Sequence, residues 1–251
     1  MKPAPEPFET LYGLRACLAV GAVRPEAIAR LALQPGLRGS TPELAELVRR
    51  VSARGVPWDE RPEAELTRLA ASPTHEGVCM QVKPRRWVKL PELEATLLRE
   101  RGVALALSQV RNPYNVGAVL RSAAFFGAKA VLLGAPAPDP GLPPLAVRVA
   151  EGGAEHLHLA RTTDLVPWLQ RLRTRGVSVL GAVGSAPTSA HTWVFKRPCV
   201  VVLGNEREGL SERVLAGCDG VLSIAGGGAL ESLNVAVAAG VLLSLALRGD
   251  A

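Results

Sequence analysis

The residues best suited to chemistry lie in three short stretches of the second half of this 251-residue chain, each following a run of apolar residues. The first is Asn112-Pro113-Tyr114-Asn115, which is turn chemistry and leads into Val116-Gly117-Ala-Val-Leu-Arg121. Asn115 stands at a predicted helix start, where outward-pointing amides favour anions. Arg121 is within reach of that end if its long side chain folds back. Alone, this stretch reads more readily as an ordinary helix cap followed by a surface arginine. The second is Gly204-Asn205-Glu206-Arg207-Glu208-Gly209, directly after Val200-Val-Val-Leu203. It is a tight turn with exposed amides, but its two carboxylates repel phosphate, so it suits a ligand offering hydroxyls, amines or a positive centre. The chain has no G-x-x-x-x-G-K-[ST] and no G-x-G-x-x-G, the usual nucleotide-cradling patterns. The third stretch runs Ile224-Ala225-Gly226-Gly227-Gly228, then Glu231-Ser232-Leu233-Asn234. Consecutive glycines let backbone approach a ligand closely, and Ser232 and Asn234 open a helix with groups that both donate and accept hydrogen bonds.

No metal site is expected. The four cysteines, Cys17, Cys79, Cys199 and Cys218, are scattered without C-x-x-C spacing, whereas zinc needs clustered ligands. They read as free, mostly buried thiols. His156 and His158 alternate as on one strand face. A formal net charge of +6 favours an anionic partner, nucleic acid first. Lys83, Arg85, Arg86 and Lys89 surround Trp87 within seven residues, which reads as a linker or as a phosphate-contacting strip with a stacking ring. Hydrophobic residues make up 48% and charged ones 21%, the composition of a folded globular protein. No apolar run reaches the roughly 20 residues of a membrane span, and the start lacks a signal-peptide pattern. A cytoplasmic protein without a membrane partner is expected.

These stretches must be held by a framework that the remaining pattern supplies. Val103–Leu107, Lys129–Leu133, Val177–Val183, Cys199–Leu203 and Val221–Ile224 read as strands. The continuous apolar runs among them mark strands buried on both faces. Helices over Val116–Phe126, Asp164–Arg175 and Ser232–Leu247 alternate with them, so the fold class is α/β with a parallel sheet. The three stretches then fall at the C-terminal ends of strands, where open α/β sheets bind ligands. Ala135–Pro144, rich in proline, is an exposed loop. The final helix is apolar almost all round, more than one sheet face needs to cover, which points to a symmetric dimer through the C-terminal domain. Upstream, Leu11–Val20 reads as a helix, Glu26–Leu33 as a helix or short strand, Val56–Trp58 as an edge strand and Gly77–Val82 as a strand. The expected organisation is a flexible lead over 1–9, a small α/β domain over 10–86, a linker and helix over 87–101, and the parallel-sheet domain over 102–251.

The order N-x-G-x-x-x-R-S-A, then L-G-N-E-x-E-G-L, then E-S-L-N-V-A-V-A-A-G resembles the SpoU (TrmH-like) branch of the SPOUT methyltransferases, across residues 103–248. Tyr12-Gly13-Leu-Arg-Ala16 and His75-Glu76-Gly77-Val78 are similar to the borders of the substrate-binding domain that many rRNA-modifying members carry. The resemblance implies transfer of a methyl group from S-adenosylmethionine to a ribose 2′-hydroxyl of RNA, in rRNA or, as the alternative, tRNA. It implies a SPOUT fold with a C-terminal trefoil knot, spanning Val200–Leu247, and a homodimer. Arg121, Asn115, Glu206, Ser232 and Asn234 are the implied catalytic set. Ala182, Leu203, Gly204, Ile224 and Leu233 are the implied cofactor contacts. The family often has Ile-Pro-Met where this chain has Ile224-Ala225-Gly226. A catalytically weak RNA-binding assembly factor on the same scaffold is the competing reading.

Overall fold

The computed structural model describes residues 8–136, 141–228 and 230–248. These divide into two compact units, one holding the described residues of 8–86 and 143–156, the other those of 87–136, 141–142, 157–228 and 230–248. The expected 1–9 lead falls outside the description except for its end: Glu9 already belongs to β1 (Glu9–Tyr12).

In the first unit, β1, β2 (Ile28–Leu33), β3 (Trp58–Glu60) and β4 (Val78–Val82) form a sheet in the order β1-β4-β2-β3. β4 is antiparallel to both neighbours and β3 pairs parallel to β2 at the edge. Leu11 and Tyr12, expected to begin a helix, are strand residues; α1 (Leu14–Val23) starts after the turn at Gly13. Residues 28–33, which periodicity left open between helix and strand, are extended. Thr41 caps α2 (Pro42–Ala53), its Oγ1 accepting from the Leu44 amide at 3.2 Å. α3 is a short helix over Glu63–Ala70.

The segment 143–156 also packs in this unit. It carries α6 (Pro144–Val149) and a 3₁₀ turn over Gly153–Glu155, and buries Ala146, Val147, Ala150 and Ala154. Arg24 Nε donates to Glu155 Oε2 at 2.7 Å, and Arg85 Nη2 donates to Glu155 Oε1 at 2.6 Å, with the Glu155 side chain only 2% exposed. Two half-buried cations thus hold one buried carboxylate, which offsets its desolvation. His156 closes the 3₁₀ turn and lies outside the strand that holds His158, so the two do not share a strand face.

The second unit is a six-stranded, all-parallel sheet. Its strands are β5 (Val103–Ser108), β6 (Ala130–Gly134), β7 (His158–Thr162), β8 (Ser178–Ala182), β9 (Cys199–Gly204) and β10 (Gly220–Leu222), in the order β10-β8-β9-β5-β6-β7. β5 and β6 are buried throughout. On one face, α4 (Leu90–Glu100) and α7 (Val166–Thr174) bury Leu93, Leu97, Trp168 and Leu172 against Ala104, Ala106, Val200 and Val202. α5 (Pro113–Phe126) and α9 (Val235–Ala246) pack on each other and on the sheet, while α8 (Glu212–Leu215) is a single turn.

The strand order fixes where a ligand site can form. From β5 the chain proceeds to β6 and β7 on one side, then crosses so that β9 pairs on the other side of β5. Chains leaving β5 and β9 diverge there, opening a crevice at the C-terminal edge of the sheet. Ser108 and Gly204 are aligned neighbours at that edge.

Candidate active site

Each polar stretch is shaped by local chemistry. Asn112, not Asn115, is the cap of α5: its Oδ1 accepts from the Tyr114 amide at 2.9 Å, and Pro113 takes the first helical position, where a missing N–H costs nothing. Asn115 therefore sits inside the first turn, with its side chain available for contacts beyond its own helix. In the second stretch, Asn205 Oδ1 accepts from the amides of Arg207 and Glu208 at 2.9 and 2.8 Å, and the Gly209 amide returns to the Asn205 carbonyl at 3.0 Å. This closed turn presents Glu206. Gly204 is required here: a Cβ would fall 2.2 Å from both the carbonyl carbon and the oxygen of Gly209. In the third stretch α9 begins at Val235, and Asn234 caps it by accepting from the Ala236 amide at 2.9 Å. Ser232, expected to open that helix, lies in the exposed segment before the cap.

The three stretches meet through side chains. Asn234 Nδ2 donates to Asn115 Oδ1 at 3.0 Å, and Asn115 Nδ2 donates to Glu206 Oε1. The Ala236 amide, Asn234, Asn115 and Glu206 thus form one directional hydrogen-bonded chain across the crevice between β5 and β9. Because Asn234 Oδ1 is committed to the helix amide, its nitrogen must face Asn115, and this orients the Asn115 amide in turn. Of the five expected catalytic residues, this chain joins Asn115, Glu206 and Asn234. Arg121 is exposed on α5, about 9 Å along the axis from Asn115 at 1.5 Å rise per residue.

The expected cofactor contacts fall at the same end of the sheet. Ala182 ends β8 opposite Leu222 of β10, Leu203 and Gly204 end β9, Ile224 follows β10, and Leu233 precedes the α9 cap. The loop after β8 meets the third stretch closely, since a Cβ on Gly184 would lie 2.8 Å from the Glu231 carbonyl oxygen. Gly226, Gly227 and Gly228 instead face open space. A backbone-lined cradle results, with carboxylates at one side and no fixed cation in the chain of hydrogen bonds. Such a donor set fits a ligand bearing a positive centre and hydroxyls better than one led by phosphates.

Two residues escaped the sequence reading. Asn205 closes the turn, and the signal was available in its place between Gly204 and Glu206. Glu155 carries no spacing signal toward Arg24 or Arg85, 131 and 70 residues away. The basic strip is partly corrected: Arg85 turns inward, also donating to the Ala154 carbonyl at 2.8 Å, so it does not project from the strip. Trp87 already carries the Arg161 guanidinium 4.8 Å from its ring centroid. Lys83, Arg86 and Lys89 are exposed. The cysteines are free, with Cys17, Cys79 and Cys199 buried. Among the described residues no group of three or more His, Cys, Asp or Glu side chains is placed to hold a metal ion, and no helix is long and apolar enough to cross a membrane.

A parallel α/β sheet with three polar loops joined at its switch point has the form of a ligand-binding α/β domain. The sequence profile of the SpoU rRNA Methylase family matches residues 102–244, and that of the RNA 2′-O ribose methyltransferase substrate binding domain matches residues 10–88. The chain belongs to the SpoU methylase family. It is 35% identical over 254 aligned positions to the human rRNA methyltransferase 1, mitochondrial, covering 94% of this chain and 71% of that protein. It is 36% identical over 202 positions to an uncharacterized tRNA/rRNA methyltransferase of Mycobacterium ulcerans, covering 80% of this chain and 65% of that protein. Among solved structures, the AdoMet-bound rRNA methyltransferase from Sinorhizobium meliloti superposes with a TM-score of 0.76 at 25% identity, covering 96% of this chain and 87% of that one.

Proposed function

We propose that this chain transfers a methyl group from S-adenosylmethionine to a ribose 2′-hydroxyl of ribosomal RNA. The observation that carries the proposal is the hydrogen-bonded chain from Asn234 through Asn115 to Glu206 across the switch point. The human and Sinorhizobium relatives, described as rRNA methyltransferases, the latter AdoMet-bound, support the substrate and the cofactor. Membership of the SpoU family supports a trefoil knot within 200–247, and the cytoplasm is the proposed site of action.

When bound, S-adenosylmethionine supplies a methyl group on a sulfonium, an electrophilic carbon open to in-line attack. Backbone at Leu203, Gly204, Ile224 and Leu233, with Ala182 beside it, would hold that molecule in the glycine-lined cradle. The residues of this chain then have to align a poor nucleophile and dispose of its proton. Alignment alone accounts for a large part of such a barrier. Arg121 is the candidate to orient the ribose hydroxyl and its adjoining phosphate. A guanidinium carries no lone pair free to accept a proton and is a poor general base, so the proton leaves to a phosphate oxygen or water. Asn115, locked in one amide orientation, positions the ribose together with Glu206, Ser232 and Asn234. Lys83 and Arg86 of the first unit, and Lys89 of the second, are the proposed phosphate contacts.

A homodimer through the second unit is supported by apolar side chains left in water on α5 and α9: Phe125 is 82% exposed and Val237 53%. Sedimentation should give a mass twice that of the chain. A single-chain mass at micromolar concentration would refute it.

The reaction is tested by tritiated methyl transfer to RNA from a strain lacking the gene. Arg121→Ala should abolish transfer and leave S-adenosylmethionine binding near wild-type. Retained turnover would refute the role of Arg121, and no incorporation by the unmodified chain despite RNA binding would favour an assembly factor.

A further inference from the structure

The sheet of the first unit has two unlike faces. One, with Leu11, Leu31, Leu33 and Met80, is buried apolar core. On the other, α3 covers only part: Leu66 and Ala70 pack on Tyr12, Ala32 and Cys79. Beyond that cover the same face continues as a cross-strand row, since Thr10 and Arg30 each pair with Gln81. A cavity of about 220 Å³ lies there, its polar lining Thr10, Arg30, Arg61 and Gln81 and its apolar lining Ala32, Leu69, Cys79 and Met80.

Charge decides what this cavity suits. Asp59 accepts from Arg30 Nη2 at 2.8 Å and from Arg61 Nε at 3.0 Å, and Arg61 reaches Glu65 at 3.5 Å. Two guanidiniums are therefore offset by two carboxylates, which leaves no local excess to attract phosphate. Arg30 Nε and Asp59 Oδ1 have no hydrogen-bond partner among the described residues, while the two side chains are 41% and 37% exposed. A neutral planar ring is the complement. It could lie between Leu69, the Ala32 floor and the guanidinium planes, with its edge against the Gln81 amide and the Thr10 hydroxyl. That is how unpaired RNA bases are read: by stacking, including on arginine, and by edge hydrogen bonds. Phe8, two residues before Thr10 and 49% exposed, offers a further ring for a neighbouring base.

We infer that this pocket seats one unpaired nucleobase of the substrate RNA, at a distance in sequence from the methyl-transfer loops. The inference rests on the RNA-methyltransferase reading, and its test separates the two. Fluorescence anisotropy of the full chain with labelled single-stranded 12-nucleotide RNAs, one of each base, measures affinity and base preference. Gln81→Ala and Thr10→Val should each weaken the preferred oligonucleotide by about tenfold, the scale of one stacked or edge-bonded base. Melting temperature and S-adenosylmethionine binding should be unchanged. Unchanged RNA affinity in both variants, with methyl transfer intact, would overturn the pocket and leave the enzyme reading standing. Failure of the unmodified chain both to bind RNA and to transfer methyl would sink the enzyme reading and the pocket with it. Inorganic phosphate that displaces the oligonucleotide from this site would replace the base with an anion and overturn the proposal. Should the variants misfold, photocrosslinking of a 4-thiouridine oligonucleotide to the unmodified chain gives the answer: adducts should map to β1, β2 or β4, and adducts confined elsewhere would contradict it.

Discussion

Asn234 holds Asn115 at 3.0 Å across 119 residues of sequence while its other amide atom caps α9. One side chain thus does two jobs that a single substitution can separate. Asn234→Asp keeps an acceptor for the Ala236 amide but has no donor for Asn115. Its helix cap, worth about 1 kcal/mol, should survive, so the melting temperature should stay near wild-type. Methyl transfer should fall about tenfold or more, as misalignment at a reacting centre does. Asn234→Ala should lose both stability and turnover. Equal turnover in Asn234→Asp and the unmodified chain would show that the Asn115 orientation is irrelevant.

Gly204→Ala places a methyl group 2.2 Å from the Gly209 backbone. Backbone cannot yield as a side-chain tip can, so the turn carrying Glu206 must open. Loss of about 1–3 kcal/mol is expected, the scale of overpacking, together with weakened S-adenosylmethionine binding by calorimetry. Wild-type affinity in a stable variant would remove this turn from the cofactor site.

The Glu155 side chain is a buried anion held by two half-buried cations, Arg24 and Arg85. Glu155→Gln leaves both cations uncompensated and should cost about 3–5 kcal/mol in the unfolding of the first unit, measured by urea titration. A loss below about 1 kcal/mol would place these charges in water. The same packing forecasts the fate of a chain cut to residues 87–251. It would expose Ala146, Val147, Ala150 and Ala154, which are buried within the first unit, and should aggregate more than the full chain.

Burial pushes the Cys199 thiol up to about 12, and the Cys79 and Cys218 thiols up to about 11, from an ordinary 9.0. An acid whose pKa is raised in the fold stabilises the fold while it is neutral. That contribution is complete below pH 9 and is lost as pH rises through 11 to 12. Melting temperature should therefore fall more steeply between pH 9 and 11 in the native chain than in Cys199→Ala. Parallel curves would contradict the burial assigned to Cys199.

Much of the second unit was legible because its signals are local. Val103–Leu107 and Cys199–Leu203 announce buried strands by continuous apolar runs, and Pro113 and Gly127 mark the ends of α5. Pro113 marks Asn112 as the cap, because proline favours the first helical position. Leu11 and Tyr12 were misread because four residues of strand next to an apolar helix carry too little alternation to separate period two from period 3.6. Pairings across long separations had no local trace. Nothing around Asn115 encodes Glu206, 91 residues on. Arg85 looked like its neighbours because a sequence shows charge but not burial, and its partner Glu155 lies 70 residues away.

The central claim is that the chain methylates a ribose hydroxyl. RNA from a strain lacking the gene, incubated with the full chain and S-adenosylmethionine and digested to nucleosides, resolves this by mass spectrometry. The account predicts one new 2′-O-methylnucleoside, absent with Arg121→Ala. A nucleoside carrying the methyl group on its base, or no new product from chain that binds both RNA and S-adenosylmethionine, would contradict it.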